Sequence, residues 1–157
     1  MTDTTTFRRA VKPDLAAIVA LLADDPLGST REVVGPSVHP DYVAAFDTID
    51  RDASEFLAVA EQDGDVVGCL QISFLPGLSR RGMLRGQIES VRIAAAARGQ
   101  GLGRQMLDWA VETCRQRGCG LVQLTTDRHR PDALRFYEEF GFIASHVGCK
   151  LDIRVDQ

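Results

Sequence analysis

Residues 86–114 read GQIESVRIAAAARGQGLGRQMLDWAVETC, and this stretch decides the fold. Its first eight residues have the apolar pattern of a β-strand, the next are small, and Met106, Leu107, Ala110, Val111 and Cys114 recur at helical spacing. Gly99, Gly101 and Gly103 fall where that helix begins. Glycine weakens a helix by about 1 kcal/mol relative to alanine, so three at alternate positions imply that something must approach the backbone closely. The first N–H groups of a helix have no intrahelical acceptor and lie at the positive end of its dipole. Together these features make an anion site, and a pyrophosphate fits it best.

Two familiar glycine loops are excluded. A P-loop needs Gly-Lys-Ser/Thr, and the chain contains no Gly-Lys pair. The dinucleotide fingerprint G-x-G-x-x-G would put its third glycine where Arg104 stands; here it comes one residue early, at Gly103. The run Arg98-Gly99-Gln100-Gly101-Leu102-Gly103 instead matches R/Q-x-x-G-x-G/A. It resembles the loop with which the GNAT N-acetyltransferase superfamily holds the pyrophosphate of acetyl-coenzyme A. A second block, ALRFYEEFGF at 133–142, resembles the superfamily's A-x-x-F/L-Y-x-x-x-G-F and follows the loop at the expected distance. The run from Ile88 to Gly103 is similar to the strand and loop of glucosamine-6-phosphate N-acetyltransferases, with Glu89 at the same offset from the loop. One departure stands out: many members have Asn where this chain has Arg130.

Length and charge set the class. A chain of 157 residues is one domain by size, here expected to span 1–157. A formal net charge of −4, with no basic tail or stripe, argues against nucleic acid or an anionic membrane as partner and favours a small one. No apolar run reaches the ~18 residues of a membrane span, and the Thr-rich start lacks a signal-peptide pattern. A cytoplasmic protein is expected. Cys69, Cys114, Cys119 and Cys149 form no C-x-x-C pair and read as reduced core thiols; with His39, His129 and His146 scattered, no metal is expected.

In chain order, Thr5–Val11 reads as a strand, and Lys12-Pro13-Asp14 opens a helix bearing Leu15, Ile18, Val19 and Leu22. Residues 24–40, DDPLGSTREVVGPSVHP, read as a long surface loop; Arg31 and Glu32 there either line a substrate entrance or are solvated charges. A helix over Asp41–Asp52 carries Tyr42, Phe46 and Ile49 on one face. Two antiparallel strands, Glu55–Glu61 and Val66–Leu75, follow, joined at the hairpin signal Asp63-Gly64. The loop PGLSRRGMLR brings Arg80, Arg81 and Arg85, whose forked guanidinium groups suit phosphate or carboxylate, or simply face solvent.

If the central strand is regular, Gln87, Glu89, Val91 and Ile93 share one face and Ile88, Ser90 and Arg92 the other. Glu89 is then either ion-paired or poised as an acid–base group at a substrate amine. Gly120–Thr126 reads as a parallel strand after a helical crossover, and Arg130-Pro131-Asp132 opens a last helix with Ala133, Phe136, Tyr137 and Phe140 on one face. Phe142–Ala144 and His146–Ile153 complete the reading as strands.

The resemblance implies the rest: an α/β fold with a mixed central sheet of about seven strands flanked by about four helices, and transfer of acetyl from acetyl-coenzyme A to a primary amine, without metal or covalent enzyme intermediate. Backbone groups of Val91, Arg92 and Ile93 would pair with the pantetheine arm, with the Val91 N–H at the thioester oxygen. Residues Arg98, Gly99, Gln100, Gly101, Leu102, Gly103 and Arg104 would cradle the pyrophosphate, and Arg130 would contact the coenzyme. Glu89 would be the base or amine-positioning group and Tyr137 the acid at the departing sulfur. The acceptor would be a small-molecule amine; a protein or peptide amine, or a non-catalytic acyl-coenzyme A sensor, are the alternatives, and terminal strands would allow a homodimer.

Overall fold

The computed structural model describes residues 4–154, which fall into two units, 4–124 and 125–154. The first holds a five-stranded sheet in the order β1 (Thr6–Arg9), β2 (Glu55–Gln62), β3 (Asp65–Leu75), β4 (Arg85–Ile93) and β5 (Leu121–Leu124). The first three neighbour pairs are antiparallel and β4–β5 is parallel, so the sheet is mixed. Its helices are α1 (Leu15–Ala23), α2 (Pro40–Arg51), the single turn α3 (Ser79–Gly82) and α4 (Leu102–Gln116). The second unit contributes α5 (Pro131–Phe140).

Each element follows from local chemistry. Pro13 sits in the short turn before α1, where a missing N–H costs nothing. Asp14, 8 % exposed, accepts from Val11 N–H at 2.8 Å and from Arg8 at 2.7 Å, fixing the entry into α1. That guanidinium holds the Asp14 carboxyl below its ordinary pKa. The β2–β3 hairpin turns on Asp63 and Gly64, both at positive φ (51° and 88°), as a tight turn matching the strand twist requires.

The sheet buries both faces. On one, Leu57, Val59 and Cys69 pack with Ala10, Leu15, Ile18, Leu21 and Phe46, beneath α1 and α2. On the other, Leu70, Ile72 and Ile88 alternate with those residues and are buried together with Met106, Leu107, Ala110 and Cys114 of α4. Trp109 of α4 stacks on Phe7 of β1 (5.8 Å between centroids) and meets Phe56 of β2 edge-on (5.7 Å). Gly86 lets α4 lie directly on β4: a methyl group there would sit 2.4 Å from Cys114 Sγ.

The sheet has five strands where about seven were expected. Residues 142–154 form no strand, because a strand exists only where a neighbour supplies hydrogen-bond partners. Cys149 is accordingly exposed, and Cys119 only half-buried, while Cys69 and Cys114 are core thiols as expected. Burial pushes both of the latter up to about 12, which leaves them inert. Among the described residues no helix is long and apolar enough to cross a membrane.

The contact between β4 and α4 is testable. Gly86→Ala should lower stability by about 1–3 kcal/mol in urea titration, and adding Cys114→Ala should cost less than the sum of the two single changes because the clashing sulfur is gone. A wild-type midpoint for Gly86→Ala would contradict this packing.

Candidate functional site

The site begins with an irregularity in β4. Ser90 has φ +56°, and the ladder to β3 runs from Glu89↔Gln71 to Arg92↔Cys69, so Ser90 and Val91 together stand opposite Leu70. This is a β-bulge, and an extra residue reverses the facing of everything beyond it. Arg92 therefore shares the face of Glu89 rather than of Ile88, and Ile93, paired with Gly68, returns to the face of Ile88. The regular alternation expected from the sequence holds only as far as Glu89. On the opposite edge the ladder to β5 covers Arg85–Ile88 and stops at Ile88↔Leu124. Glu89 to Ile93 thus lie beyond its end.

Glu89 is exposed and its Oε1 accepts a 2.7 Å hydrogen bond from Gln87 Nε2. It is not ion-paired to a neighbouring arginine among the described residues; the arginines of this strand are otherwise engaged. Arg92 donates to Val91 O at 2.9 Å, and its Nε lies 3.0 Å from Asp25 Oδ2 with both side chains largely buried, charge against charge without an aligned N–H. The other Asp25 oxygen accepts from the backbone N–H groups of Leu27 and Gly28, each at 2.8 Å. Asp25 thereby fastens the loop after α1 to the bulged strand.

The preceding residue, Asp24, repeats the device on the glycine loop. Arg98 donates to Ile93 O at 3.0 Å and lies 3.4 Å from the Asp24 carboxylate. Two carbonyls expected to face the coenzyme arm, those of Val91 and Ile93, thus already accept from guanidinium groups, and each retains a second lone pair. In the same loop Glu32 accepts from the Tyr42 hydroxyl at 2.6 Å, which in turn accepts from Val33 N–H. Burial first, then Glu32, raises the Tyr42 pKa. Glu32 is a brace between loop and helix, whereas Arg31 is exposed.

After β4 a 3-10 turn, Ala95–Ala97, leads through extended Arg98 to Gly99 and Gly101, with φ +76° and +78°. Gly101 is the N-cap of α4 and offers no side-chain acceptor to the first turn. A Cβ built on Gly99 or Gly101 would meet nothing within 4 Å. The glycines are required by the backbone's left-handed conformation, and the space above them is open. Leu102, 3 % exposed, anchors the helix start in the core, while Gln100 and Arg104 are exposed and Gly103 is half-buried. A cradle of main-chain N–H groups opening on clear space is chemically suited to a diphosphate. Between Asp63-Gly64 and this loop, Arg80 and Arg81 also adopt left-handed φ (54° and 61°) in an exposed turn.

In the second unit, Ala133, Phe136, Tyr137 and Phe140 are the half-buried residues of α5, the face expected from their spacing. Tyr137 meets Phe136 and Phe142 edge-on, at 5.3 and 5.9 Å between centroids. Its carbonyl accepts from Gly141 and Phe142 N–H where Gly141, φ +124°, ends the helix. Arg130 is the N-cap of α5, preceded by Asp127, whose Oδ1 accepts from His129 N–H at 2.9 Å. Sequence reading did not find Asp24, Asp25, Gln87 or Gln123; a polar Gln123 within the apolar run of β5 was the one available signal.

The fold is shared with known proteins. The model of the Acetyltransferase (GNAT) family matches residues 15–142, across both units. A crystal structure from Bacillus halodurans C-125, described as a transcriptional regulator, is 48 % identical with a TM-score of 0.93, covering 96 % of this chain and 100 % of that one. The aminoalkylphosphonate N-acetyltransferase of Salmonella typhimurium is 36 % identical over 88 residues, 56 % of each chain. The glucosamine 6-phosphate N-acetyltransferase of Trypanosoma brucei brucei is 33 % identical over 90 residues, 57 % of this chain and 59 % of its own. The chain thus spans little more than half the length of these two curated relatives. With the family model matched over most of its length, the chain belongs to the GNAT acetyltransferase family.

Proposed function

We propose that this protein transfers an acetyl group from acetyl-coenzyme A to the primary amine of a small molecule, with 1–157 acting as one N-acetyltransferase domain in the cytoplasm. The observation that carries the reading is the open backbone above Gly99 and Gly101, at the uncapped start of α4. Residues Arg98 to Arg104 hold the diphosphate through main-chain N–H groups, with the Arg98 and Arg104 side chains adding positive charge. The backbone of Val91, Arg92 and Ile93 aligns the pantetheine arm, and Arg130 takes the place of the more usual Asn against the coenzyme.

Acetyl-coenzyme A supplies an activated thioester. An ammonium has no lone pair, so Glu89 accepts the amine proton, directly or through water. The Val91 N–H faces the carbonyl oxygen as negative charge develops there. The Tyr137 hydroxyl, a phenol able to donate its proton, supplies the one required at the sulfur.

The relatives named above act, by their descriptions, on an aminoalkylphosphonate and on glucosamine 6-phosphate, both amines carrying an anionic phosphorus group. Exposed Arg80 and Arg81, held in a left-handed turn that costs of order 1–3 kcal/mol per residue, supply cations for such a group. A second reading, an acyl-coenzyme A sensor without turnover, is favoured by the description of the Bacillus halodurans relative as a transcriptional regulator. It requires the glycine loop but neither Glu89 nor Tyr137, and their presence favours the enzyme.

A homodimer is part of the same proposal. Val147, Cys149, Leu151 and Ile153 alternate in sequence and are exposed, the three aliphatic residues by more than 80 %. A segment of that alternation becomes a strand when a second copy supplies both ladder partner and apolar cover.

Coenzyme release measured over a panel containing glucosamine 6-phosphate, 2-aminoethylphosphonate and a peptide with a free N-terminus should show turnover with a phosphorylated or phosphonylated small amine. Tyr137→Phe should lower that turnover about 100-fold with acetyl-coenzyme A affinity nearly intact; equal turnover would remove Tyr137 from the chemistry, and turnover with no amine would favour the sensor. Light scattering should give twice the chain mass, and Val147→Asp with Leu151→Asp should return it to the single-chain value. A monomer before substitution would contradict the dimer.

A further inference from the structure

On the face of the sheet that carries Glu89, four side chains form a continuous line across β4 and β5. Arg85 Nη1 donates to Gln123 Oε1 at 3.4 Å, Gln123 Nε2 donates to Gln87 Oε1 at 2.8 Å, and Gln87 Nε2 donates to Glu89 Oε1 at 2.7 Å. The register builds this line. Gln87 and Gln123 are directly opposed in the parallel ladder, and Arg85 and Glu89 lie two residues to either side of Gln87, on the same face.

The ends of the line fix the sense of its middle. A guanidinium can only donate and a carboxylate can only accept, so the two amides between them must both point oxygen toward Arg85 and nitrogen toward Glu89. Turning either amide would set oxygen against oxygen or N–H against N–H. A neighbour that could compete is turned away: Gln71, the cross-strand partner of Glu89, donates at 2.8 Å to Glu55 Oε2, which also accepts from Ser73 Oγ at 2.9 Å. Gln87 is the hydrogen-bond donor that Glu89 has among the described residues. Arg85, Gln87 and Gln123 are half-buried, whereas Glu89 is exposed.

We infer that Gln87 and Gln123, oriented by Arg85, are positioning residues that hold one oxygen of Glu89 in place and leave the other to the acceptor amine. Without them an exposed glutamate moves among rotamers, and the proton-accepting oxygen is not held where the amine arrives. The bulge at Ser90 immediately beyond Glu89 makes the relay necessary. It interrupts the β3 ladder directly after Glu89, and the β5 ladder has already stopped at Ile88, so the backbone no longer supplies neighbours on both sides to confine the side chain. This inference rests on the assignment of Glu89 as the base.

The test uses the panel amine of highest kcat/KM, or water as acceptor in slow acetyl-coenzyme A hydrolysis if no amine is taken. Gln123→Glu keeps the size of the side chain and accepts from Arg85, but has no N–H for Gln87, whose amide must then turn its oxygen toward Glu89. Its kcat should fall at least about tenfold, with the acetyl-coenzyme A dissociation constant and thermal midpoint unchanged. Gln87→Leu should lower kcat similarly in the wild-type background and not at all in a Glu89→Gln background, since a residue acting through Glu89 has no effect once Glu89 is gone. Full activity in Gln123→Glu and Gln87→Leu, or an equal loss from Gln87→Leu in both backgrounds, would overturn the relay. An unchanged kcat in Glu89→Gln alone would instead overturn the assignment of the base, so the two failures are distinguishable.

Discussion

The structure depends on one asymmetry in hydrogen bonding. For its first four residues β4 pairs on both sides; from Glu89 onward it keeps β3 and loses β5. A backbone polar group left without a partner away from water costs about as much as a lost hydrogen bond. A strand half paired in the middle of a sheet therefore has to be stabilised by other means. Here the bulge, two arginine side chains on backbone carbonyls, and a glycine loop at the strand's exit are those means.

The acidic residues after α1 balance the cations that gather there. Asp25 meets Arg92 and Asp24 meets Arg98, so the loop 24–40 is tied to the bulged strand and to the glycine loop by adjacent residues. The first pair is the more consequential, since both partners are largely buried, and removing one would leave the other charge desolvated. The second pair is half exposed and contributes little stability. Its effect is to hold the Arg98 guanidinium by a contact that exchanges easily for another anion, because the pair is exposed.

Much of this was legible in the sequence, and the exceptions share a cause. The glycine loop and the Asp63-Gly64 hairpin were readable because glycine at a helix start or hairpin signals positive φ, which Gly64, Gly99 and Gly101 adopt. The helical faces were readable because α4 buries Met106, Leu107, Ala110 and Cys114, and the residues that the spacing selects on α5 are its half-buried ones. Ser90 gave no signal: serine seldom adopts positive φ, and counting alternate residues assumes a strand without insertions, so Arg92 was assigned to the wrong face. The segment from Val147 to Ile153 has the alternation of a strand, yet alternation encodes only the capacity to pair, and a partner must be present for a ladder to form. The glutamine relay was invisible for a third reason. It is written in the register between β4 and β5, which no single strand reveals.

The central claim is that main-chain N–H groups at the start of α4 bind the diphosphate of acetyl-coenzyme A. Titration of the 15N-labelled protein with coenzyme A, followed by amide NMR, tests it without need of an acceptor. The account predicts saturable shifts concentrated at Gly99 to Arg104 and at Val91 to Ile93, and much smaller ones with pantetheine, which lacks the diphosphate. Saturable binding that leaves the Gly99 to Arg104 amides unmoved, or no binding at millimolar coenzyme A, would contradict it.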